Sequence, residues 1–184
     1  MNPVLLETIR QIERNDENPY FEIVDGQIAL QPPKTVFASV LASQLSFQLA
    51  SRGRAHELGY VIIRALFQLS KSPDLMRRPD VAFVSTERWP RSRCFSHDAI
   101  EWDVIPNLAI DSVNPEDRAE TIVQKIADYL AAGVEMAWVI YPQLQQIWVC
   151  EWQSSIRVLT ENDVLDGGEV LPLFRVPLKE LFHD

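Results

Sequence analysis

The sequence predicts a mixed α/β (α+β) fold, a mixed sheet with helices packed against it. Three observations carry this. Two long segments, beginning near Thr35 and Asn114, hold apolar residues at helical spacing. Short apolar runs recur before, between and after them, and the resulting order of helix, strands, helix, strands is that of a layered sheet-and-helix domain. At 184 residues, 47% hydrophobic and 23% charged, the chain suits one domain spanning residues 1–184 with its own core.

Val4 to Glu13 is the first expected helix, with Leu5, Ile9 and Ile12 at helical spacing. "YFEIVDGQIAL" then places two short strands around Asp25-Gly26, a strong hairpin signal. After two prolines, Phe37, Val40, Leu41, Leu45 and Leu49 fall mainly on one face of a helix from Thr35 to Ala50, with Gly53 as its stop. "GYVIIRALFQLS" and "PDVAFVS" read as two strands, and Thr86 to Val104 as a long polar loop bearing arginines and tryptophans. "PNLAIDSV" is the next strand. A helix follows, with Asn114 as N-cap, Pro115 at its first position and Gly133 as its stop. "MAWVIYP", "QIWVCEW", "SIRVLT" and "EVLPLF" supply the closing strands, "PLKELF" a short terminal turn or helix.

Composition limits the partners. A net charge of −9 argues against indiscriminate coating of nucleic acid, which depends on clustered Lys and Arg. A local basic surface remains open: Arg77, Arg78, Arg88, Arg91 and Arg93 cluster around and after the Pro-Asp strand, as a nucleic-acid contact or as a solubilising loop. No run approaches the roughly 20 apolar residues of a membrane helix, and the N-terminus lacks the pattern of a secretory signal. Cys94 and Cys150 stand in no CxxC or Cys/His spacing, so a cytoplasmic protein with free thiols is expected.

The chemistry-bearing residues lie at strand ends. Asp80 opens the apolar run Val81-Ala82-Phe83-Val84, and Asp111 closes the run from Asn107. If those strands pair antiparallel, the two acids arrive side by side at one sheet edge. Such a pair repels itself unless a cation sits between, and hard carboxylate oxygens suit Mg²⁺ or Mn²⁺. Lys125 is the candidate for steadying developing negative charge, with an ion pair to Asp128 as its alternative role. It lies about ten residues into the expected helix, about 15 Å along the axis, so that helix must cross back over the sheet to bring it to the acids.

"RRPDVAFVS…PNLAIDSVNPEDRAETIVQKIADYLAAGVEMAWVIYPQLQQIWVCEW" resembles the Uma-two family of bacterial endonucleases, within the PD-(D/E)XK nuclease superfamily. The likeness extends back to "FEIVDGQIAL" and on to "GGEVLPLFRVPLKELF", covering nearly the whole chain. It implies a restriction-endonuclease-like mixed sheet flanked by helices, with an N-terminal hairpin and additional C-terminal strands. It also implies a hydrolase: a metal-dependent endonuclease acting on nucleic-acid phosphodiesters, DNA before RNA. Asp80 and Asp111 match the metal-binding acids, Lys125 the helix-borne lysine, and Glu22 a frequent glutamate that joins the site. Arg78, Arg88, Arg91 and Arg93 are the candidate nucleic-acid contacts.

The chain departs from the family pattern at several points. Asp111 stands where Glu is usual, shortening the reach by about 1.5 Å. The family's histidine at the start of the first large helix has no counterpart near Val36, Phe37 and Ala38, Asn114 stands for a serine, and Tyr141 for an aspartate. The competing expectation is therefore a nuclease fold that has lost its chemistry and serves as a binding module.

Among the remaining residues, His56, His97 and His183 stand beside no plausible nucleophile, and His97 is read as a solvated loop residue. Trp138, Trp148 and Trp152 are expected in the core or on sheet faces, Trp89 and Trp102 as loop anchors or as base-stacking platforms. Gly167-Gly168 reads as a hairpin turn. The tryptophan-bearing C-terminal half could offer an apolar face for a homodimer.

Overall fold

The computed structural model describes residues 7–9, 11–12, 20–97, 99–151 and 155–183. Residues 7–9 and 11–12 are helical, with Ile9 buried, as the first expected helix requires. Leu5, the ends of that segment and Trp152 lie outside the described residues.

The hairpin forms as expected. β1 (Phe21–Val24) and β2 (Gln27–Leu30) pair antiparallel, and Asp25 (φ 51°) and Gly26 (φ 73°) both take the left-handed conformation that matches strand twist. The helix α1 (Val36–Ser51) starts at Thr35, whose Oγ1 accepts from the Ala38 N–H at 3.2 Å. A short turn of helix, α2 (Ala55–Leu58), leads into β3 (Gly59–Ile63).

"GYVIIRALFQLS" is two strands, not one. At Arg64 the backbone turns left-handed (φ 55°), and the chain leaves β3 for β4 (Leu66–Lys71) in a different sheet. β4 then turns back as β5 (Asp74–Arg77), and β6 (Val81–Ser85) follows. Among its described residues the long loop carries one short strand, β7 (Glu101–Trp102), paired in parallel with β4, before β8 (Leu108–Ser112).

The second large helix, α3, spans Ala119–Ala132, so the expected start at Asn114 is corrected. Asn114 and Asp117 instead close a turn on themselves: the Asn114 N–H donates to Asp117 Oδ2 at 2.8 Å, and the Asp117 N–H to the Asn114 carbonyl at 3.1 Å. Gly133, at φ 97°, ends the helix as expected, its N–H capping Leu130 and Tyr129 carbonyls. Then come β9 (Met136–Tyr141), β10 (Gln146–Glu151) and β11 (Ser155–Leu159). β12 (Val164–Gly167), β13 (Leu171–Pro177) and α4 (Leu178–His183) close the described chain.

The strands form three sheets: a six-stranded one in the order β11-β10-β9-β8-β6-β3, a five-stranded one in the order β2-β1-β5-β4-β7, and the β12-β13 hairpin. Alternation along the strands divides the core. Val81, Phe83, Ile110, Trp138 and Ile140 face one way and pack with Leu41, Leu45 and Leu49 of α1. Ala82, Ala109 and Ala137 face the other way, and their small side chains let α3 lie close, with Tyr129 among them. Ile23, Leu66 and Met76 join the five-stranded sheet around Phe21.

The four described tryptophans, Trp89, Trp102, Trp138 and Trp148, pack into the chain's own interior. Trp138 is fully buried, and Trp148 packs partly buried against the α3-side cluster. That removes Trp138 from any apolar dimer face. Trp89 is also buried, stacked on Phe95 at 5.6 Å and edge-on to Trp102 at 5.1 Å. These two anchor the long loop. No helix among the described residues is long and apolar enough to cross a membrane.

Candidate active site

Val81 of β6 pairs with Ile110 of β8 in antiparallel register. Asp80, one residue before, and Asp111, one residue after, therefore stand opposite each other. Asp111 points to the face of the sheet that α3 covers, as Ala109 does, whereas Asp80, just before β6, lines a cavity with Ala38 and Ala42 of α1 and with Arg64. Lys125 and Tyr129 lie one turn apart on α3 and both reach down to Asp111. Because α3 begins at Ala119, Lys125 lies only about 9 Å along its axis. The parallel β8–α3–β9 crossover lays that first part of the helix over the strand end.

The contacts are specific. Lys125 Nζ lies 2.7 Å from Asp111 Oδ1 and 2.8 Å from Glu22 Oε1, and its longest contact is the Arg78 carbonyl at 3.4 Å. Tyr129 donates its hydroxyl to Asp111 Oδ2 at 2.8 Å. Asp80 Oδ2 accepts from the Ser112 N–H at 2.8 Å and faces Lys34 Nζ at 3.1 Å. Lys34 in turn donates to the Ser112 carbonyl at 2.5 Å. Arg64 Nε approaches Asp80 Oδ1 at 3.9 Å.

Behind these groups lies a buried relay. Glu22 is almost completely enclosed, and both its oxygens are occupied: Oε1 by the Arg78 N–H and Lys125, Oε2 by Arg77 and Gln31. Arg77 passes the connection on to Asp128, its Nε at 2.9 Å from Oδ2. Asp128 thus pairs with Arg77, and the ion-pair partners of Lys125 are Asp111 and Glu22 in place of the expected Asp128.

Electrostatics divides the two aspartates. Burial and the neighbouring Asp111 charge push the Asp80 carboxyl above its ordinary value, against Lys34 and the Ser112 N–H. Burial also works against charged Asp111, but Lys125 and Lys34, with hydrogen bonds from Lys125 and Tyr129, outweigh it and hold the carboxyl low. Lys125 loses solvation on burial, yet Asp111 and Glu22 together hold its ammonium well above the ordinary range. Burial and the Asp111 charge keep Tyr129 protonated, a donor and not a base.

The donor set can be compared with what a divalent cation needs. Among the described residues no three His, Cys, Asp or Glu side chains converge on one metal position. Asp80 Oδ2 and the Ser112 carbonyl do meet on one ammonium, that of Lys34, with the Asp111 charge acting on Asp80, and one or two carboxylates with water completing the shell is how Mg²⁺ is commonly held. Those residues fit a hard divalent ion. Glu22, saturated by four donors, fits it poorly and instead holds Lys125 and Arg77 in place.

The arginines named from sequence are spread out. Arg78 reaches the Arg64 carbonyl at 2.8 Å and lies against the Phe21 ring. Arg88 bonds the Ile105 and Pro106 carbonyls and Glu135, which puts it beyond the start of β8, at the opposite end of the strand from Asp111. Arg91 donates to the His56 carbonyl, and Arg93 stacks 3.8 Å over Trp89. Sequence reading missed Lys34, Tyr129 and Arg64. Lys34 carries a faint signal, a cation placed just before a helix N-terminus, where the helix dipole disfavours it. Tyr129 could be found four residues after Lys125, and Arg64 has no local signal.

A family model described as "Uma2: Putative restriction endonuclease" matches residues 6–179. No curated protein matches the chain. Among solved structures, the fold is shared with one titled as "a putative nuclease belonging to DUF820 from Anabaena variabilis". The TM-score is 0.77 at 18% identity, covering 95% of this chain and 96% of that one.

Proposed function

The chain belongs to the Uma2 family of restriction-endonuclease-like proteins, and from that premise we propose that it is a metal-dependent endonuclease cutting DNA at the Asp80–Asp111–Lys125 site. The observation that supports this best is the Asp80–Asp111 pair, set opposite each other with a lysine and a tyrosine on one of them. A structural ion pair needs one acid; two facing acids store repulsion that a divalent ion would relieve.

Asp80, Asp111 and the Ser112 carbonyl would hold Mg²⁺ or Mn²⁺. The ion supplies an acidified water and positive charge for the scissile phosphate. The protein's own residues do the rest. Tyr129 fixes the Asp111 carboxylate through Oδ2, leaving its other oxygen to Lys125. Glu22 and Asp111 keep Lys125 protonated, so this residue acts as a charge and hydrogen-bond donor and not as a base. Its N–H on the distant Arg78 carbonyl is the one free to turn to a phosphate oxygen, where it would stabilise charge gathering in the transition state.

One observation favours the rival reading of a silent scaffold: each carboxylate of the site already carries a lysine or arginine partner. Calorimetric titration of Mn²⁺ and Mg²⁺ into wild type and Asp80→Ala, followed by assays on plasmid, single-stranded DNA and RNA, separates the two. Binding lost in the variant together with metal-dependent cleavage by wild type supports the endonuclease. Wild type that binds no metal at millimolar concentration overturns it.

A further inference from the structure

Lys34 stands where a cation would. It belongs to the loop between β2 and α1, and its ammonium touches Asp80 Oδ2 at 3.1 Å and the Ser112 carbonyl at 2.5 Å. Those are two of the three oxygen donors assigned above to a divalent ion. Its charge also acts on Asp111. The side chain lines both cavities that flank the acids, the one containing Glu22, Asp111 and Lys125 and the one containing Arg64 and Asp80.

We propose that Lys34 is a resident counter-cation that a divalent ion must displace, and that the displaced ammonium then serves as a phosphate contact at the mouth of the site. The inference rests on the metal-dependent reading given above. The two lysines of the site are not held alike. Lys125 projects from the middle of a helix onto two carboxylates at 2.7 and 2.8 Å. Lys34 has one carboxylate and one carbonyl, on a loop without regular structure. It also sits just before the N-terminus of α1, whose partial positive charge opposes an ammonium there.

Asp80 and the Ser112 carbonyl therefore hold Lys34 against an unfavourable field. A divalent ion on the same oxygens removes that hold and adds its own repulsion. The four-carbon stem can then swing toward the cavity mouth and meet a phosphate of the bound strand. Without metal, the same contact keeps the repelling aspartates compensated, so the fold does not depend on the ion.

Competition for shared donors couples the two cations, and the coupling is measurable. Manganese titrations should show Lys34→Met binding Mn²⁺ at least about fivefold more tightly than wild type, the lower range of typical coupling between sites. Lys34→Gln provides the same comparison if the methionine variant does not fold. In the wild-type protein, an amine-acylating reagent read by peptide mass spectrometry should modify Lys34 faster with saturating Mn²⁺ than with EDTA. Equal or weaker Mn²⁺ affinity in the Lys34 variants, or labelling unchanged by metal, overturns the displacement while leaving a metal-binding wild type intact. Absence of Mn²⁺ binding in wild type and variants alike overturns both the displacement and the nuclease reading.

Discussion

Lys125 and Asp111 meet at 2.7 Å across fourteen residues of sequence, one on a helix and one at the end of the strand beneath it. The pairing depends on where α3 begins. Had the helix started at Asn114, Lys125 would lie a turn further along it. The Asn114–Asp117 turn delays the start and sets the ammonium over the strand end.

Lys125→Met should leave Asp111 and Glu22 facing each other without their shared cation. Removing one partner of a buried ion pair costs about 3–5 kcal/mol, a loss read as a lower urea midpoint. Cleavage should disappear at temperatures where the variant remains folded. A variant as stable as wild type would mean that the pair is solvated in solution.

Glu22→Gln separates positioning from metal binding. Glu22 is occupied by four donors and contributes no free oxygen. The variant should therefore bind Mn²⁺ like wild type while turnover falls, because Lys125 loses one of the charges that hold it. A parallel loss of Mn²⁺ affinity would instead make Glu22 a ligand.

Tyr129→Phe removes the hydroxyl that holds Asp111 Oδ2. Hydrogen bonds to charged groups are worth about 1.5–3 kcal/mol, so a loss of that order is expected in denaturant titration. The Asp111 carboxyl should also titrate higher, since one of the interactions that keeps it low is gone. Carboxyl carbon NMR across the acid range measures this directly.

The two aspartates give stability opposite dependences on pH. Asp111 is held below the ordinary aspartate value of 3.8, so its contribution is present above that pH and is lost as pH falls through the folded value. Asp80 is raised above 3.8, so the folded state takes up its proton first, and stability falls as pH rises from 3.8 through the raised value. Urea midpoints against pH should accordingly lose the acid-side fall in Asp111→Asn. The fall on the way up from 3.8 should vanish in Asp80→Asn, which keeps an acceptor for the Ser112 N–H.

Much of this architecture was legible in sequence because local signals and tertiary packing agree. Asp25-Gly26 specifies the hairpin, and Gly133 ends α3, each for a reason contained in a few residues. Asp80 and Asp111 could be paired from the direction of their strands alone. The rest depended on longer range. The break at Arg64 lies inside an apolar run with no glycine or proline, and only the transfer to a second sheet requires it. Asn114-Pro115 has the chemistry of a helix start, but Asp117 captures the Asn114 N–H and makes a turn instead. Lys34 is distant from Asp80 and Ser112 in sequence and reaches them only because the β1–β2 hairpin delivers the α1 loop to that strand end. The arginines of the long loop read as a basic surface because a sequence cannot show that Arg88 is bound to carbonyls at the other end of β8.

The measurement that bears most directly on the site is nicking of supercoiled plasmid, followed over time for wild type, Asp111→Asn and Lys125→Met, with Mg²⁺, with Mn²⁺ and with EDTA. The account predicts nicking by wild type with either ion, none with EDTA, and none by either folded variant. Wild-type nicking that survives EDTA, or full activity in a folded Asp111→Asn protein, would contradict it.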